Sequence, residues 1–349
     1  MGTLGLIGVA ALAASLVISP AVLRYARLHS LLDVPSERSS HTRPTPRGGG
    51  LGMVLVVLSG VAVLTGLGRL DPSFGAAMLG GGALVALVGW LDDVRGVPAR
   101  WRLAAHVVAA LWAVSWLGGM PELTVGSDSF HMGAAGAAVA VLAVVWGINL
   151  YNFMDGIDGL AAAEAASVGL AAAWLVAARS PPLAAVAVTV AGAAAGFLPW
   201  NWDRARIFMG DAGSGFLGFL LATLTLASEN AGAMPALVWL LLVGVFFADA
   251  TITLVRRMLR RERWYAPHRV HAYQRAVQGG WSHARVTLAV LALNGGLALL
   301  AWLCVRRPQL LPPVLLLAGA ALGSVYLVVE RWRPMPRRSD AASMEKPIL

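Results

Sequence analysis

Five short segments of this chain carry residue types that could do chemistry on phosphates. Trp90-Leu91-Asp92-Asp93-Val94 puts two carboxylates side by side. On a helix such neighbours point about 100° apart, so they suit two partners better than joint chelation of one ion. One of them could meet a metal or a phosphate; capping of the membrane interface beside Arg95 is the alternative. Asn149, Asn152, Asp155 and Asp158 recur at every third position, which on a helical or near-helical backbone makes one polar stripe. Such a stripe wants a hydrated or ionic ligand opposite it. Asp211 stands among small residues in Phe208-Met209-Gly210-Asp211-Ala212-Gly213-Ser214. That site is open enough for Mg²⁺ and its retained waters, although an N-cap aspartate would occupy the same place. Phe208 could stack on a nucleobase or anchor in the membrane interface.

The remaining two segments are basic. His41–Gly50 contains Pro44-Thr45-Pro46-Arg47 followed by three glycines, whose backbone N–H groups could approach an anion with Arg47 beside them; a stiff turn is the other reading. His268 and His271 are three apart among arginines. Without a nearby carboxylate or Cys they make a thin zinc site, and they suit a diphosphate better.

The elements that must position these residues are membrane helices. Hydrophobic residues make up 58% of the 349 and charged residues 13%, against about 25% charged in soluble domains. An ordinary soluble enzyme is thereby excluded, and so is a low-complexity or collagenous chain. Apolar stretches at 3–23, 49–68, 73–91, 101–119, 131–150, 159–178, 182–199, 212–228, 233–255, 284–304 and 311–329 are each long enough to cross a bilayer, which takes about 17–25 residues. The sequence therefore predicts an all-α, polytopic transmembrane helix bundle of about eleven spans.

Alternate loops then divide the basic residues unequally. One side holds 23 of the 27, and the other holds Arg69, Arg179, Arg306 and Arg307. By the positive-inside rule the rich side is cytoplasmic, with the N-terminus outside and the C-terminus inside. Residues 1–329 read as a single integral-membrane catalytic domain with cytoplasmic loops at 24–48, 92–100, 150–158, 200–211 and 256–283, and 330–349 as a basic cytoplasmic tail. The first stretch reads as a retained span and not as a cleaved leader. Arg256, Arg257, Arg260, Arg261 and Arg263 can hold the end of a span at anionic headgroups, so no nucleic-acid partner is needed to explain the charge. Cys304, the single cysteine, permits no intrachain disulfide.

Seven of the eighteen acids, Asp92, Asp93, Asp155, Asp158, Asp203, Asp211 and Asp249, fall in or beside the cytoplasmic segments. Carboxylates at membrane depth are costly and mark function. His106 reads as a satisfied bundle histidine, and His131 and His283 as loop residues.

Taken together and in this order, the five segments resemble the polyprenyl-phosphate N-acetylhexosamine-1-phosphate transferases, over about residues 33–285. The resemblance implies a reaction in which polyprenyl (undecaprenyl) phosphate attacks a UDP-N-acetylhexosamine to give polyprenyl-diphospho-sugar and UMP. It implies Mg²⁺, with Mn²⁺ as a substitute, and an active site on the cytoplasmic face of a bacterial inner membrane. Carried over residue by residue, Asp211 is the metal-binding aspartate. Asp92 activates or positions the lipid phosphate, with Asp93 assisting. Asp158 is a further essential acid, and His268 and His271 meet the diphosphate and sugar. Asn149, Asn152 and Asp155 lie on the nucleotide side with Phe208 stacked on uracil, and Arg47 contacts substrate phosphate. A homodimer is an arrangement open to such a bundle.

The chain departs from the phospho-N-acetylmuramoyl-pentapeptide transferase branch, which has a run of histidines where this sequence has His-x-x-His. That points away from a peptidoglycan precursor and towards the branch that starts surface polysaccharides such as O-antigen. Two readings from other classes compete. An ion-coupled transporter would need mid-bilayer acids and an inverted repeat, and the acids here cluster at one face. A CDP-alcohol phosphotransferase would need spaced partners that Asp155-Gly156 lacks.

Overall fold

The computed structural model describes residues 2–35, 43–262 and 268–336. His41, Arg263 and the predicted tail beyond residue 336 lie outside the described residues. In chain order the helices are α1 (Gly2–Leu28), α2 (Gly50–Gly66), α3 (Pro72–Ala76), α4 (Gly82–Arg95), α5 (Ala99–Leu117), α6 (Gly133–Met154), α7 (Leu160–Val176), α8 (Pro181–Asn201), α9 (Gly210–Asn230), α10 (Ala236–Leu242), α11 (Gly244–Leu259), α12 (Ala272–Gln278), α13 (His283–Arg306) and α14 (Leu311–Trp332). A π-helical turn, Ala77–Gly81, joins α3 to α4 as one span-length helix.

Each predicted apolar stretch is helical, but length and composition alone qualify fewer than eleven as spans. Among the described residues seven helices are long and apolar enough to cross a membrane, or eight if α10 and α11, bent by 86° at their junction, form one span. α2 and α7 are apolar but have 17 residues each. α5 carries Arg100, Arg102 and His106 along its first turns. The fold is also not purely helical. β1 (Leu32–Asp33) pairs antiparallel with β2 (Thr45–Pro46), and β3 (Glu122–Val125) pairs with β4 (Asp128–His131).

α8 and α9 form the centre, the most enclosed of the span-length helices. α8 is packed by α1, α2 and α7, and α9 by α4, α6 and α2. The sequence explains this order: Ala, Val and Gly make up 12 of the 21 residues of α8, so neighbouring backbones approach closely and gain dispersion contact where lipid supplies no hydrophobic drive. Polar pairs bind helices across the interior. Asn294 of α13 donates to Glu164 of α7 at 2.6 Å.

Helix starts follow their sequences. Proline opens α3, α8 and α14, where its missing N–H costs nothing. Asp71 accepts Ser73 N–H at 2.8 Å to cap α3.

Candidate active site

The end of α4, the start of α5 and the start of α9 converge on Arg102. Its Nη1 lies 2.6 Å from Asp92 Oδ2 and 2.7 Å from Asp211 Oδ2, so one guanidinium bridges two carboxylates from different helices. Asp92 Oδ1 accepts Val97 N–H at 2.5 Å, which ties the α4–α5 connection to the same carboxyl group. Arg102 is a site residue that sequence reading missed. It counted there only as one charge of a basic loop, because only the fold brings α5 against Asp211.

Asp93 does a different job from Asp92. It is buried, and its two oxygens accept the backbone N–H groups of Asp211 at 3.1 Å and Ala212 at 3.2 Å. α9 has no cap from its own chain neighbours, and the capping carboxylate arrives from α4. This arrangement requires glycine at 210: φ there is +77° and a Cβ would meet Asp93 Oδ2 at 2.5 Å. Both Asp93 oxygens are thus engaged by the backbone that carries Asp211.

The proline–glycine segment acts as a brace. Gly49 and Gly50 donate to the carbonyls of Phe208 and Met209 at 2.9 and 2.8 Å, and Phe208 N–H donates to Pro46 at 2.8 Å. Gly50 lies against the backbone of Gly213. The amides of Gly49 and Gly50 are thus committed to protein carbonyls, which favours the turn over the anion cradle. The turn nevertheless delivers Arg47, whose buried Nε has no hydrogen-bond partner among the described residues, and Phe208, half-buried, to the start of α9.

The predicted polar stripe divides. Asn149 donates to Val145 O on its own helix at 2.7 Å. Asn152 donates to Ser214 Oγ on α9 at 3.1 Å. Asp155 follows the last residue of α6. Withdrawal from water and the charges of Asp211, Asp93 and Asp158 hold its carboxyl well above the usual carboxylate range. Asp158 lies past the helix end and joins another group. Its Oδ2 is 3.2 Å from His283 Nδ1 and accepts Ala205 N–H at 3.1 Å, with Asp203 alongside. His283 is therefore not a loop residue but the first residue of α13. His106, one turn after Arg102, has a buried Nδ1 without a hydrogen-bond partner, contrary to the satisfied bundle histidine expected.

The histidine segment is fixed from two sides. Asp249 of α11 accepts the N–H groups of Ala272 and Tyr273 at 2.8 and 3.0 Å and lies 3.5 Å from His271 Nδ1. Tyr273 Oη donates to Phe153 O at 2.9 Å, and the His268 and His271 rings pack beside Phe153 with centroids 6.2 and 6.0 Å away. Both histidines thus sit next to the end of α6 that carries Asp155. The surrounding arginines are partly structural. Arg256 and Arg275 clamp Glu330 of α14, each with a contact of 2.6 Å, and so hold the loop to the bundle instead of facing a ligand. Asp249 is a second missed residue, flagged in the sequence only as an acid in an apolar stretch.

Burial, with His271 and Arg257 nearby, pushes the His268 imidazole down from 6.5 to about 3. The neutral ring can hydrogen-bond an anion's hydroxyl or a sugar but adds no charge. The unfolded chain binds this proton below pH 6.5 and the folded chain does not until about pH 3, so stability is full above 6.5 and falls as pH drops through that window. His268→Gln is expected to flatten the loss of thermal stability between pH 6.5 and 4; an unchanged slope would refute the assignment.

Asp92 and Asp211 supply hard oxygen donors, the kind Mg²⁺ takes with retained waters, but among the described residues the three side chains close enough together to share one ion are Asp158, Asp203 and His283. Arg102 occupies a cation's position between Asp92 and Asp211.

Comparison with known proteins agrees with the geometry. Residues 76–229 match the model of glycosyl transferase family 4. That range includes α4, the start of α5, the Asn149–Asp158 stripe and Asp211. A decaprenyl-phosphate N-acetylglucosaminephosphotransferase of Mycobacterium leprae is 33% identical over 297 residues, 73% of this chain and 72% of the relative. A probable undecaprenyl-phosphate N-acetylglucosaminyl 1-phosphate transferase of Bacillus subtilis is 30% identical over 289 residues, 80% of this chain and 78% of the relative. A phospho-N-acetylmuramoyl-pentapeptide-transferase of Thermosynechococcus vestitus is 32% identical over 292 residues, 75% of this chain and 72% of the relative. With its carboxylates, bridging arginine and histidine segment gathered at one end of the bundle, and with likeness of this extent, the chain belongs to glycosyl transferase family 4, the polyprenyl-phosphate N-acetylhexosamine-1-phosphate transferases.

Proposed function

We propose that this protein transfers N-acetylhexosamine-1-phosphate from a UDP-sugar to polyprenyl phosphate, releasing UMP, as the first step of a surface polysaccharide. The observation that carries this reading is the Asp92–Arg102–Asp211 bridge at the mouth of a bundle, with the names of the relatives supporting the acceptor and the sugar. Phosphoryl transfer between two anions needs charge neutralisation and in-line placement more than covalent chemistry.

An oxygen of the lipid phosphate forms the new bond to the β-phosphorus, the bond from that phosphorus to the bridging oxygen breaks, and UMP leaves with the electron pair. Mg²⁺, held by Asp211 with Asp92, would neutralise the diphosphate. Arg102 and Arg47 supply fixed positive charge on either side of the carboxylates. His268 offers a neutral ring nitrogen, with the His271 ring beside it, towards the diphosphate and sugar. Both oxygens of Asp92 are already held, by Val97 N–H and Arg102, which supports positioning of the attacking phosphate over a covalent aspartyl intermediate. A phospho-sugar trapped on Asp92 after brief turnover would defeat that.

The active site is assigned to the cytoplasmic side of a bacterial inner membrane because 23 of 27 basic residues lie in loops on that side of the eleven-span reading. In that reading α2, α5 and α7 complete the count of eleven.

Purified protein in detergent, given polyprenyl phosphate, Mg²⁺ and a panel of UDP-N-acetyl sugars that includes UDP-N-acetylmuramoyl-pentapeptide, should release UMP with an N-acetylhexosamine donor. Release only with the pentapeptide donor would move the protein to the other branch, and sugar flux without UMP would indicate transport. Phe208→Ala should weaken UDP-sugar binding about tenfold, the scale of one lost base stack, with little change in the affinity for lipid phosphate. Unchanged nucleotide binding would contradict the stacking role.

A further inference from the structure

Helices α1, α2, α7, α8 and α13 enclose a cavity of about 1150 Å³ that none of the chemistry above uses. It lies at the opposite end of the bundle from Asp211. α2 begins at Gly50, against Gly213 beside the active site, and Arg69 on the cavity lies past its other end. A helix of 17 residues separates the two by about 25 Å.

Apolar side chains such as Leu4, Ile7 and Leu64 form the walls. Trp174 and Trp302 stack there with ring centroids 6.4 Å apart and 12° between planes. The rim carries Arg69, Arg179 and Arg306, three of the four basic residues that the charge count assigns to the poor side. They come from three distant parts of the sequence, yet they meet at one cavity.

Their charge is uncompensated. Among the described residues none of the three pairs with a carboxylate: Arg179 Nη1 reaches Ala233 O at 3.4 Å, and Arg306 lies over Trp302 at 5.9 Å. Glu229, which lines a smaller pocket with Arg179, spends its oxygens on Thr124 N–H, Thr124 Oγ1 and Ala236 N–H. Arginines that merely anchored helices in headgroups would need no cavity between them. The volume also exceeds the ~300–1,000 Å³ of ordinary small-molecule sites. A second copy of the chain fits poorly, because a two-fold contact through this face would set guanidinium against guanidinium.

We propose that this cavity binds one anionic phospholipid, with its hydrocarbon chains along the apolar wall and the tryptophan pair and its phosphate among Arg69, Arg179 and Arg306. The assignment to the leaflet opposite the active site rests on the orientation proposed above; the binding itself does not, and the lipid titration that decides it uses neither donor sugar nor polyprenyl phosphate.

Full-length protein in neutral detergent is titrated with dioleoylphosphatidylglycerol and with dioleoylphosphatidylcholine, and retained lipid is counted by native mass spectrometry. The anionic lipid should bind about tenfold more tightly, as expected for a phosphate held by several guanidinium groups without a competing ammonium. The triple variant R69Q/R179Q/R306Q should lose the preference. Ala178→Trp, at an exposed position lining the cavity, should lower the retention of both lipids. UMP release by these variants in neutral detergent should match the parent. Equal binding of the two lipids, a preference that survives the triple substitution, or displacement of the lipid by millimolar inorganic phosphate would each overturn the proposal. If the triple variant does not fold, Arg179→Gln and Ala178→Trp alone decide it, because unchanged retention in both would also overturn it.

Discussion

Asp211→Asn is expected to lower UMP release by about a thousandfold or more while the protein still inserts and purifies. The scale is that of removing a preorganised charge at the centre of a phosphoryl transfer. Asn keeps the size of the side chain and an acceptor for Arg102, so the bridge at 2.7 Å is weakened without opening a cavity. What it removes is the negative charge that would hold a divalent cation. The check is a magnesium titration of UMP release from variant and parent: residual activity should need far more Mg²⁺, or none should appear. Near-normal turnover at ordinary Mg²⁺ would mean that Asp211 is only the acid in the first turn of α9 and that the cation sits elsewhere.

Asp93→Ala is the second large effect, and it has a different signature. Asp93 accepts the first N–H groups of α9 from another helix. Its loss leaves two buried donors unpaired, at about 1–3 kcal/mol each, and removes a negative charge from the positive end of the helix dipole. Thermal stability should fall together with kcat, because Asp211 is carried on the freed turn. Asp93→Asn retains one acceptor and should recover part of both. A group that only transferred protons would lose kcat with unchanged stability and would gain nothing from the amide. Retention of full stability by Asp93→Ala would therefore remove the positioning role.

The two neighbours Asp92 and Asp93 show how far the sequence reading reaches. Adjacent carboxylates on a helix must diverge by about 100°, so two separate partners were predictable from the residue types alone. Which partners they are was not predictable. One finds Arg102, ten residues on, and Asp211, 109 residues from that arginine, completes the bridge; the other finds the backbone of α9. The stripe from Asn149 to Asp158 shows the opposite failure. Its three-residue spacing holds only while the helix lasts, and α6 stops at Met154. Past that point the backbone turns, and Asp158 is handed to His283 and Asp203 instead of Asn152's neighbours. The three-residue count overlooks Gly156, which follows the C-cap Asp155 as glycine often does where a helix ends.

By itself the sequence determined that this is a helical membrane protein with most of its charge at or beyond helix ends, because charge at membrane depth is costly. It also carried, in order along the chain, the motifs on which the family resemblance rests. The tertiary structure alone decided which of them act and which support. It set Arg102 between Asp92 and Asp211, Asp249 under the histidine segment, His283 beside Asp158, and Asp93 on the first N–H groups of α9. It also brought Arg69, Arg179 and Arg306 to one cavity at the far end. Each of those outcomes depends on contacts between helices distant in sequence, and local periodicity carries no information about which faces of two helices will touch.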